Sequence, residues 1–340
     1  MDSGVSDKQD SGCHLPANPV ACRELPVSVY PASGCAGRHD MPYPRTIRGN
    51  VMTVDWRHIL LYSLVAKNLQ GGYRMPVNMI VCCKQVPDPE APPAVFKVVN
   101  NKMTWPAEVK PVIGQYEEFA LEAALRIKDK VGGKITALSL GNKFIRDVIK
   151  KALAVGGDEL ILLEDEAFED GDSWSTANAL AMAIRKIGEY DIIFCGRQSS
   201  DWDAGQTGLG IAELLQIPAV TLARRIEVTD GKARVEQVIP DGYRSVEVTL
   251  PALITVTSEL GTLRYAALKG IMAAAKKQPV IWKPADIDLD ASQVGATGRR
   301  SKLEKLFQPV KEAKCEIIEG ETPAEAGASL AVRLREAKLL

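Results

Sequence analysis

The sequence predicts an α/β protein with a parallel, Rossmann-like sheet, helices on both of its faces, an antiparallel ribbon insertion and an extended C-terminal arm. Short apolar runs alternate with amphipathic helical segments from residue 79 to residue 217, which is typical of βαβ units in a parallel sheet. Between residues 221 and 250, apolar and polar residues alternate around Asp-Gly turns, which indicates a ribbon with one solvated face. From about residue 279 the chain is rich in loops and too short to form a hydrophobic core alone, so we expect it to pack on another domain or subunit.

The alternating region supplies the predicted strands and helices of the sheet. Apolar runs of strand length occupy residues 79–84, 134–140, 159–165, 191–196 and 251–257. Amphipathic helices are predicted at residues 115–133, 144–157, 173–188 and 205–217. The first helix has Glu117 and Glu118 in its first turn and ends at Gly132-Gly133, and the third begins after an N-cap at Asp172 or Ser173.

The ribbon and the arm complete the predicted organisation. The ribbon strands are expected at residues 221–228, 233–239 and 244–250, and the arm is expected to end in a short helix at residues 323–338. The chain therefore divides into an N-terminal segment (1–74), an α/β domain (75–278) and a C-terminal arm (279–340).

Residues 1–74 differ in composition from the rest of the chain. Pro, Ser, Gly and Cys are interspersed there without a sustained period, which is typical of disordered or non-native sequence. Gly71-Gly72 precedes Met75, where a purine-rich ribosome-binding site translated in frame gives Gly-Gly. We therefore expect translation to begin at Met75 or Met79, and a genuine disordered arm is the alternative.

Composition disfavours several classes of function. The net charge of −1 gives no field that recruits nucleic acid or an anionic membrane, and no apolar run reaches the roughly 20 residues that span a bilayer. All three histidines lie before residue 60, which removes histidine triads and histidine-ligated zinc from the part that looks folded. The seven cysteines form no C-x-x-C pair, so neither a zinc site nor a disulfide framework is expected. A reducing, cytoplasmic location fits best.

The loop within CGRQSSDWDAGQTGLGIAELL (195–215) is the main candidate site. The sequence has neither a G-x-G-x-x-G fingerprint after the first strand nor a P-loop, but open α/β sheets bind ligands beyond the carboxyl ends of their strands. A calcium loop is excluded because Gly205 and Ala212 stand where oxygen ligands are required. An acid/base pair of Asp201 and Asp203 is disfavoured because no nucleophile or base is nearby in sequence. Two interpretations stay open. In the first, the helix start faces a phosphate, with Asp203 as the N-cap or either aspartate bonded to a ribose hydroxyl; in the second, an Asp is a plain N-cap with a solvated neighbour.

Two further segments carry candidate residues. Cys82-Cys83 lies on a predicted strand, where the two side chains point to opposite faces, and this favours small buried hydrophobes over a redox role. The segment RYAALKGIMAAAKK (264–277) is either core or an apolar partner-binding stripe, because three apolar side chains recur there at helical spacing: Leu268, Ile271 and Met272.

Several motifs occur in order over the whole body of the chain: IVCCKQVPD (80–88), ALEAALRIKDK (120–130), KALAVGGDE (151–159), CGRQSSDWDAGQTG (195–208), LPALITVT (250–257) and RYAALKGIMAAAKK (264–277). With these motifs the chain resembles the β subunit of electron transfer flavoproteins from about Met75 to its end. Residues 1–74 have no counterpart. The chain departs from the family at Gly114-Gln115-Tyr116, where members often carry Asn-Pro and an aromatic residue.

The resemblance implies a heterodimer in which an α subunit holds the electron-transferring FAD. The β subunit buries its own adenine nucleotide, which is AMP in ordinary carriers and a second FAD in electron-bifurcating members. The nucleotide contacts implied by the resemblance are Cys82, Tyr116, Leu140, Asp201, Asp203, Gln206, Thr207 and Gly208. The implied partner-recognition segment, with Leu268 as its anchor, comprises Arg264, Tyr265, Leu268, Ile271 and Met272.

Three functions follow as hypotheses. The leading one is an electron-carrier subunit, not a turnover enzyme by itself, that serves acyl-CoA dehydrogenase-type or other flavin or iron–sulfur oxidoreductases. The second is a subunit of a bifurcating assembly that binds a second FAD and NADH. The third, from another class, is a stand-alone nucleotide-binding stress-type module without a redox role.

Overall fold

A nine-stranded sheet forms the body of the chain in a computed structural model, which describes residues 75–309 and 315–340. The expectations for residues 1–74 lie outside the described residues. The strands are β1 (Met79–Cys82), β2 (Gln85–Pro87), β3 (Lys97–Val99), β4 (Lys102–Thr104), β5 (Pro111–Ile113), β6 (Ile135–Gly141), β7 (Glu159–Glu164), β8 (Ile192–Gly196), β9 (Ala219–Thr229), β10 (Lys232–Ile239), β11 (Gly242–Thr249), β12 (Ala252–Val256) and β13 (Val280–Trp282). The helices are α1 (Gln115–Val131), α2 (Arg146–Ile149), α3 (Lys151–Ala154), α4 (Ser173–Ile187), α5 (Thr207–Leu215), α6 (Leu268–Lys276), α7 (Gly295–Gly298) and α8 (Pro323–Glu336).

The strand order confirms the predicted α/β fold and places a switch point at its centre. The order is β11-β10-β9-β12-β8-β1-β6-β7-β13, and neighbouring strands from β9 to β13 run parallel. The chain passes from β1 to β6 and β7 on one side, and then to β8 and β12 on the other. Sheets of this topology bind ligands in a crevice at the switch point, which here falls between the carboxyl ends of β1 and β8.

The predicted ribbon is confirmed and is continuous with the main sheet. The strand β9 pairs parallel with β12 at its start and antiparallel with β10 along its length, and β11 closes the ribbon. Asp230 and Gly231 both adopt positive φ in the connecting turn, as expected for a tight two-residue hairpin.

Two hydrophobic layers cover the two faces of the sheet. Met79 and Val81 of β1 pack with α1, α2 and α3 on one face, whereas Ile80 and Cys82 pack with α4 and α5 on the other. This alternation follows from the two-residue period of a strand, and both faces are apolar because helices cover both. Asp172 caps α4 as predicted, in a reciprocal capping box with Ser175.

The prediction of one continuous helix at residues 144–157 is wrong. Two short helices, α2 and α3, replace it, because the backbone at Lys150 opens to ψ −11 and its carbonyl accepts from both Leu153 and Ala154. The antiparallel pairs β2–β5 and β3–β4 and the edge strand β13 were not predicted. Each of these strands has only three residues, which is too short for a periodic pattern to be read.

The first part of the C-terminal arm packs on the body. Ile287, Leu289 and Val294 are buried in the layer that contains α4 and α5. Asp172 Oδ2 accepts hydrogen bonds from the backbone N–H groups of Arg300 and Ser301, each at 2.8 Å. The helix α8 lies beyond this attachment, in the second described range, and has no buried residue. Within the two described ranges, no helix combines the length and apolarity needed to cross a bilayer.

Candidate functional site

The loop after β8 and the chain after β1 meet at the switch-point crevice. Val81 of β1 and Phe194 of β8 are paired in register, so the two strands end side by side. Lys84, two residues beyond β1, places its Nζ 2.8 Å from both carboxylate oxygens of Asp201 in the loop after β8. The Asp201 side chain is only 12% exposed, so this ion pair is partly shielded from solvent and fixes the loop across the crevice.

Internal hydrogen bonds shape residues 197–206 into a closed loop. Asp203 donates its backbone N–H to the Ser199 carbonyl at 2.9 Å, and its carboxylate accepts from Gln198 Nε2 at 2.8 Å. Asp203 adopts φ +52, in the left-handed region that Asp tolerates better than most residues. Its carboxylate is therefore engaged inside the loop.

The start of α5 has no capping side chain, which corrects the proposed N-cap at Asp203. The N-cap is Gln206, without a side-chain cap hydrogen bond, and the helix begins at Thr207 and not at Gly205. The first N–H groups of a helix have no partner within the helix, and here no side chain at the cap satisfies them. Such a start is suited to an anion.

Gly208 serves packing at this helix start. A Cβ built on Gly208 would lie 3.3 Å from both Cys195 Cβ and Thr255 Cγ2, so the absent side chain faces the sheet. The glycine therefore lets α5 approach β8 and β12, and its contribution to a ligand is limited to its backbone. Gln206 is exposed and Thr207 is half-buried, so both side chains can contact a ligand in the crevice.

The N-terminus of α1 forms the wall next to the end of β8. A Cβ on Gly196 would lie 2.6 Å from Tyr116 Cβ, so glycine is required for this approach. Glu117 is buried, and its Oε2 has no hydrogen-bond partner among the described residues. Burial raises the pKa of Glu117 from 4.5 to about 7, although its own backbone N–H and then Lys84 oppose the rise.

Two serine hydroxyls of the loop are also unpartnered. Within residues 75–309 and 315–340, Ser199 Oγ and Ser200 Oγ are buried without a hydrogen bond, as is Glu117 Oε2. Buried polar atoms in native proteins are almost always hydrogen-bonded, so three such atoms around one loop indicate a site that a polar ligand completes.

Replacing Glu117 by Gln is expected to stabilise the nucleotide-free chain at alkaline pH. Because the folded state holds this proton up to about pH 7 and the unfolded state releases it near 4.5, stability falls as pH rises between these values. Glu117→Gln removes that loss, so we expect a gain of up to about 3 kcal/mol at pH 8 and none below pH 4.

Urea unfolding at pH 4 and pH 8 measures the effect of Glu117→Gln. The neighbouring Glu118, which pairs with Lys151 and is more exposed, supplies the control variant Glu118→Gln. This control is expected to change stability by less than about 1 kcal/mol. An equal gain from Glu117→Gln at both pH values would exclude titration as its cause.

The remaining predicted contacts line the same edge of the sheet. Cys82 ends β1 and pairs with Leu138, and Leu140 lies two residues further along β6.

Two buried cysteines near this edge have raised pKa values. A hydrogen bond with Cys82, and then burial, raise the pKa of the Cys195 thiol, and burial raises that of Cys83. These thiols stay protonated at neutral pH, as expected of buried cysteines that pack as small hydrophobes.

The predicted partner-recognition segment lies elsewhere, on and before α6. Four of its five residues are strongly exposed: Tyr265, Leu268, Ile271 and Met272. Arg264 is placed differently, because its guanidinium turns inward to Glu122 of α1.

Sequence reasoning missed Lys84, Glu117, Ser199 and Ser200. Lys84 is the last residue of the first predicted strand, and the two serines lie in the loop that the sequence singles out, so position at or after the end of a strand is a usable signal for these three. Glu117 was explained by the charge preference of a helix start. Only the packing of α1 against Gly196 shows that its carboxyl is buried at the crevice.

The strand order and the polar side chains at the switch point together define a doubly wound α/β protein with a candidate ligand site there. The family profile "Electron transfer flavoprotein domain" matches residues 107–287. The electron transfer flavoprotein subunit beta of Thermoanaerobacterium thermosaccharolyticum is 39% identical over 72% of this chain and 93% of the relative. The caffeyl-CoA reductase-Etf complex subunit CarD of Acetobacterium woodii is 35% identical over 78% of this chain and 100% of the relative. Protein FixA of Azorhizobium caulinodans is 35% identical over 75% and 93%, respectively.

The chain belongs to the electron transfer flavoprotein family, and the subunit that it resembles within the family is the β subunit. This confirms the resemblance carried by the sequence motifs. The chain is accordingly a flavin-associated electron-transfer protein.

Proposed function

We propose that this chain is the β subunit of a heterodimeric, cytoplasmic electron carrier, and that its crevice holds a structural adenine nucleotide. The main support for a bound nucleotide is the uncapped start of α5. The loop that leads into this helix also contains the buried hydroxyls of Ser199 and Ser200, which have no hydrogen-bond partner among the described residues. A phosphate accepts hydrogen bonds from both kinds of donor, and the helix dipole favours its charge. The FAD, held mainly by the α subunit, supplies the electron-transfer chemistry, and this chain supplies position and environment.

Each part of the crevice has a role in this proposal. The N–H groups of the first turn of α5, with the Thr207 side chain, hold the phosphate. Asp201, which the ion pair with Lys84 holds in place, and Asp203 are the acceptors for ribose hydroxyls. Cys82, Leu140 and Tyr116 line the apolar part of the site, where the adenine ring stacks or packs.

Two surfaces serve the proposed partners. The end of the arm packs on the α subunit, because among the described residues α8 has no buried side chain and exposes Leu330 and Val332, with Ile317 exposed before it. The exposed apolar segment around Leu268 docks on a flavin dehydrogenase, in keeping with the size of its exposed apolar surface.

The content of the purified heterodimer tests the proposal. The chain is co-expressed with the α subunit, the complex is denatured, and released flavins and nucleotides are quantified by chromatography. We expect one FAD and one AMP per heterodimer. Two FAD molecules together with NADH oxidation would support the bifurcating alternative, in which a second FAD replaces AMP. A colourless monomer that binds ATP would contradict both redox functions.

A further inference from the structure

A buried ion cluster ties the segment before α6 to α1. Glu122 of α1 is only 5% exposed and accepts three hydrogen bonds from Arg264, from the backbone N at 3.1 Å, Nε at 3.0 Å and Nη2 at 3.2 Å. Arg126 Nε donates a fourth at 2.9 Å. Arg264 Nη1 reaches Asp129 at 2.8 Å. Each nitrogen of the Arg264 guanidinium thus donates one hydrogen bond to a carboxylate of α1, which holds this side chain against the helix.

The same ion cluster also holds Leu260, which precedes Arg264 in the segment before α6. Arg126 Nη1 donates to the Leu260 carbonyl at 2.6 Å, so residues 260 and 264 are both fastened to one helix. Burial acts to raise the pKa of Glu122, but hydrogen bonds from Arg264 and then Arg126 lower it overall. The cluster therefore stays ionised, and loss of one partner leaves a buried charge without full compensation.

The far end of the segment is fastened to the body as well. A Cβ built on Gly270 would lie 2.3 Å from the Ala154 carbonyl oxygen, so α6 packs directly on the backbone of α3. Lys277 Nζ, just beyond α6, donates to the Asp158 carbonyl at 2.7 Å. The backbone of residues 264–277 is therefore held at its start, at its middle and at its end.

Between these attachments the segment presents an apolar surface with basic neighbours. Tyr265 is 100% exposed and Leu268 is 74% exposed, and Ile271 and Met272 are also mostly outside the core. Exposed Lys269 and Lys276 lie on the same helix. An apolar patch with lysines beside it is complementary to an apolar pocket with an acidic rim.

We propose that Glu122 and Arg264 are positioning residues that hold residues 265–272 in one conformation for docking into an apolar, acid-rimmed pocket of a flavin dehydrogenase. The inference rests on the proposed electron-carrier function. It changes the role of Arg264 from a contact of the partner to an internal anchor. Because residues 265–272 are already ordered before the partner binds, docking avoids the entropy loss of ordering them. Such preorganisation raises affinity without any new contact.

The test compares anchor variants with a contact variant in the holo heterodimer. Arg264→Ala, Arg264→Lys and Glu122→Gln remove or weaken the anchor, and Leu268→Ala removes a contact. Hydrogen exchange of residues 261–272 is measured on the heterodimer alone. Steady-state reduction is measured with an acyl-CoA dehydrogenase and its acyl-CoA substrate, and chemical reduction by dithionite reports flavin integrity. Thermal unfolding identifies any variant that fails to fold, in which case Arg264→Lys carries the test.

We expect the anchor variants and the contact variant to differ in hydrogen exchange, although both kinds raise KM. Arg264→Ala and Glu122→Gln are expected to accelerate hydrogen exchange of residues 261–272. They are also expected to raise the KM of the dehydrogenase for the heterodimer about tenfold, with kcat changed less than about twofold. Arg264→Lys, which keeps the charge without the planar fork, is expected to show a smaller effect of the same kind. Leu268→Ala is expected to raise KM without changing the exchange of the segment.

Three outcomes would overturn the proposal. A raised KM for Arg264→Ala with unchanged exchange would show that Arg264 contacts the partner directly. Faster exchange with an unchanged KM in every variant would show that the segment docks no dehydrogenase. Loss of the α subunit from Leu268→Ala would place the segment in the heterodimer interface. Failure of the proposed function itself is distinct, because the wild-type heterodimer would then accept no electrons from the dehydrogenase.

Discussion

Thr207→Asp is expected to expel the nucleotide from this subunit without destabilising the helix that holds it. Residue 207 is the first residue of α5, where a carboxylate is favoured by the helix dipole by about 0.3–1 kcal/mol. The same carboxylate repels a phosphate bound at the helix start. At an effective dielectric constant of about 20, we expect a loss of binding energy of about 3 kcal/mol, or roughly 100-fold in affinity.

Thr207→Asn is the matched control, since it differs from Thr207→Asp mainly by the charge. It is expected to weaken nucleotide binding by less than about tenfold. The nucleotide retained by each purified heterodimer is quantified after denaturation, and thermal unfolding is recorded for the nucleotide-free chains. Full retention in the Asp variant would mean that the phosphate does not lie at the start of α5.

Phe194→Ala is expected to lower the free energy of unfolding by about 3–5 kcal/mol, because it leaves a cavity in the centre of the sheet. Phe194 has 0% exposure and pairs with Val81 on one side and Ile254 on the other. For a folded region of this size, the loss corresponds to a fall in Tm of about 10 °C. The residue lies two positions before Gly196, so the crevice is expected to lose nucleotide affinity as well.

Trp202→Ala removes a larger aromatic side chain from the same region and serves as the control. Trp202 lies in the loop after β8 and is 55% exposed. Its removal is expected to change the free energy of unfolding by less than about 1 kcal/mol. Urea unfolding of the chain measures both variants, and similar losses for Phe194→Ala and Trp202→Ala would contradict the burial that separates them.

The main sheet could be predicted from the sequence because each parallel strand is a separate apolar run. Residues 192–195 are buried, on both faces of the sheet, so their apolar composition alone marks a strand. The edge strand β13 gives no such signal, since Val280 and Ile281 are exposed and pairing with β7 depends on the rest of the fold. The break at Lys150 likewise depends on tertiary packing of α2 and α3, and helical spacing of apolar residues continues across it.

The candidate site was predicted in part for a related reason. Asp201 and Thr207 are close in sequence and follow one strand, so a single loop contains them. The pairing of Lys84 with Asp201 joins residues that are 117 positions apart, and no local pattern encodes it. From the sequence of this loop, Asp203 was predicted as an N-cap of the helix that follows. The carboxylate is instead bonded to Gln198, because the left-handed conformation at Asp203 turns it back into the loop.

The attachment of the arm at Arg300 and Ser301 has a consequence for how the heterodimer holds together. If the body and α8 both contact the α subunit, the two contacts are linked in one chain, and the second forms at a high effective concentration. Each contact can then be weak and exchange rapidly, while the complex as a whole dissociates slowly. Removing α8 is therefore expected to increase the dissociation rate far more than it decreases the association rate.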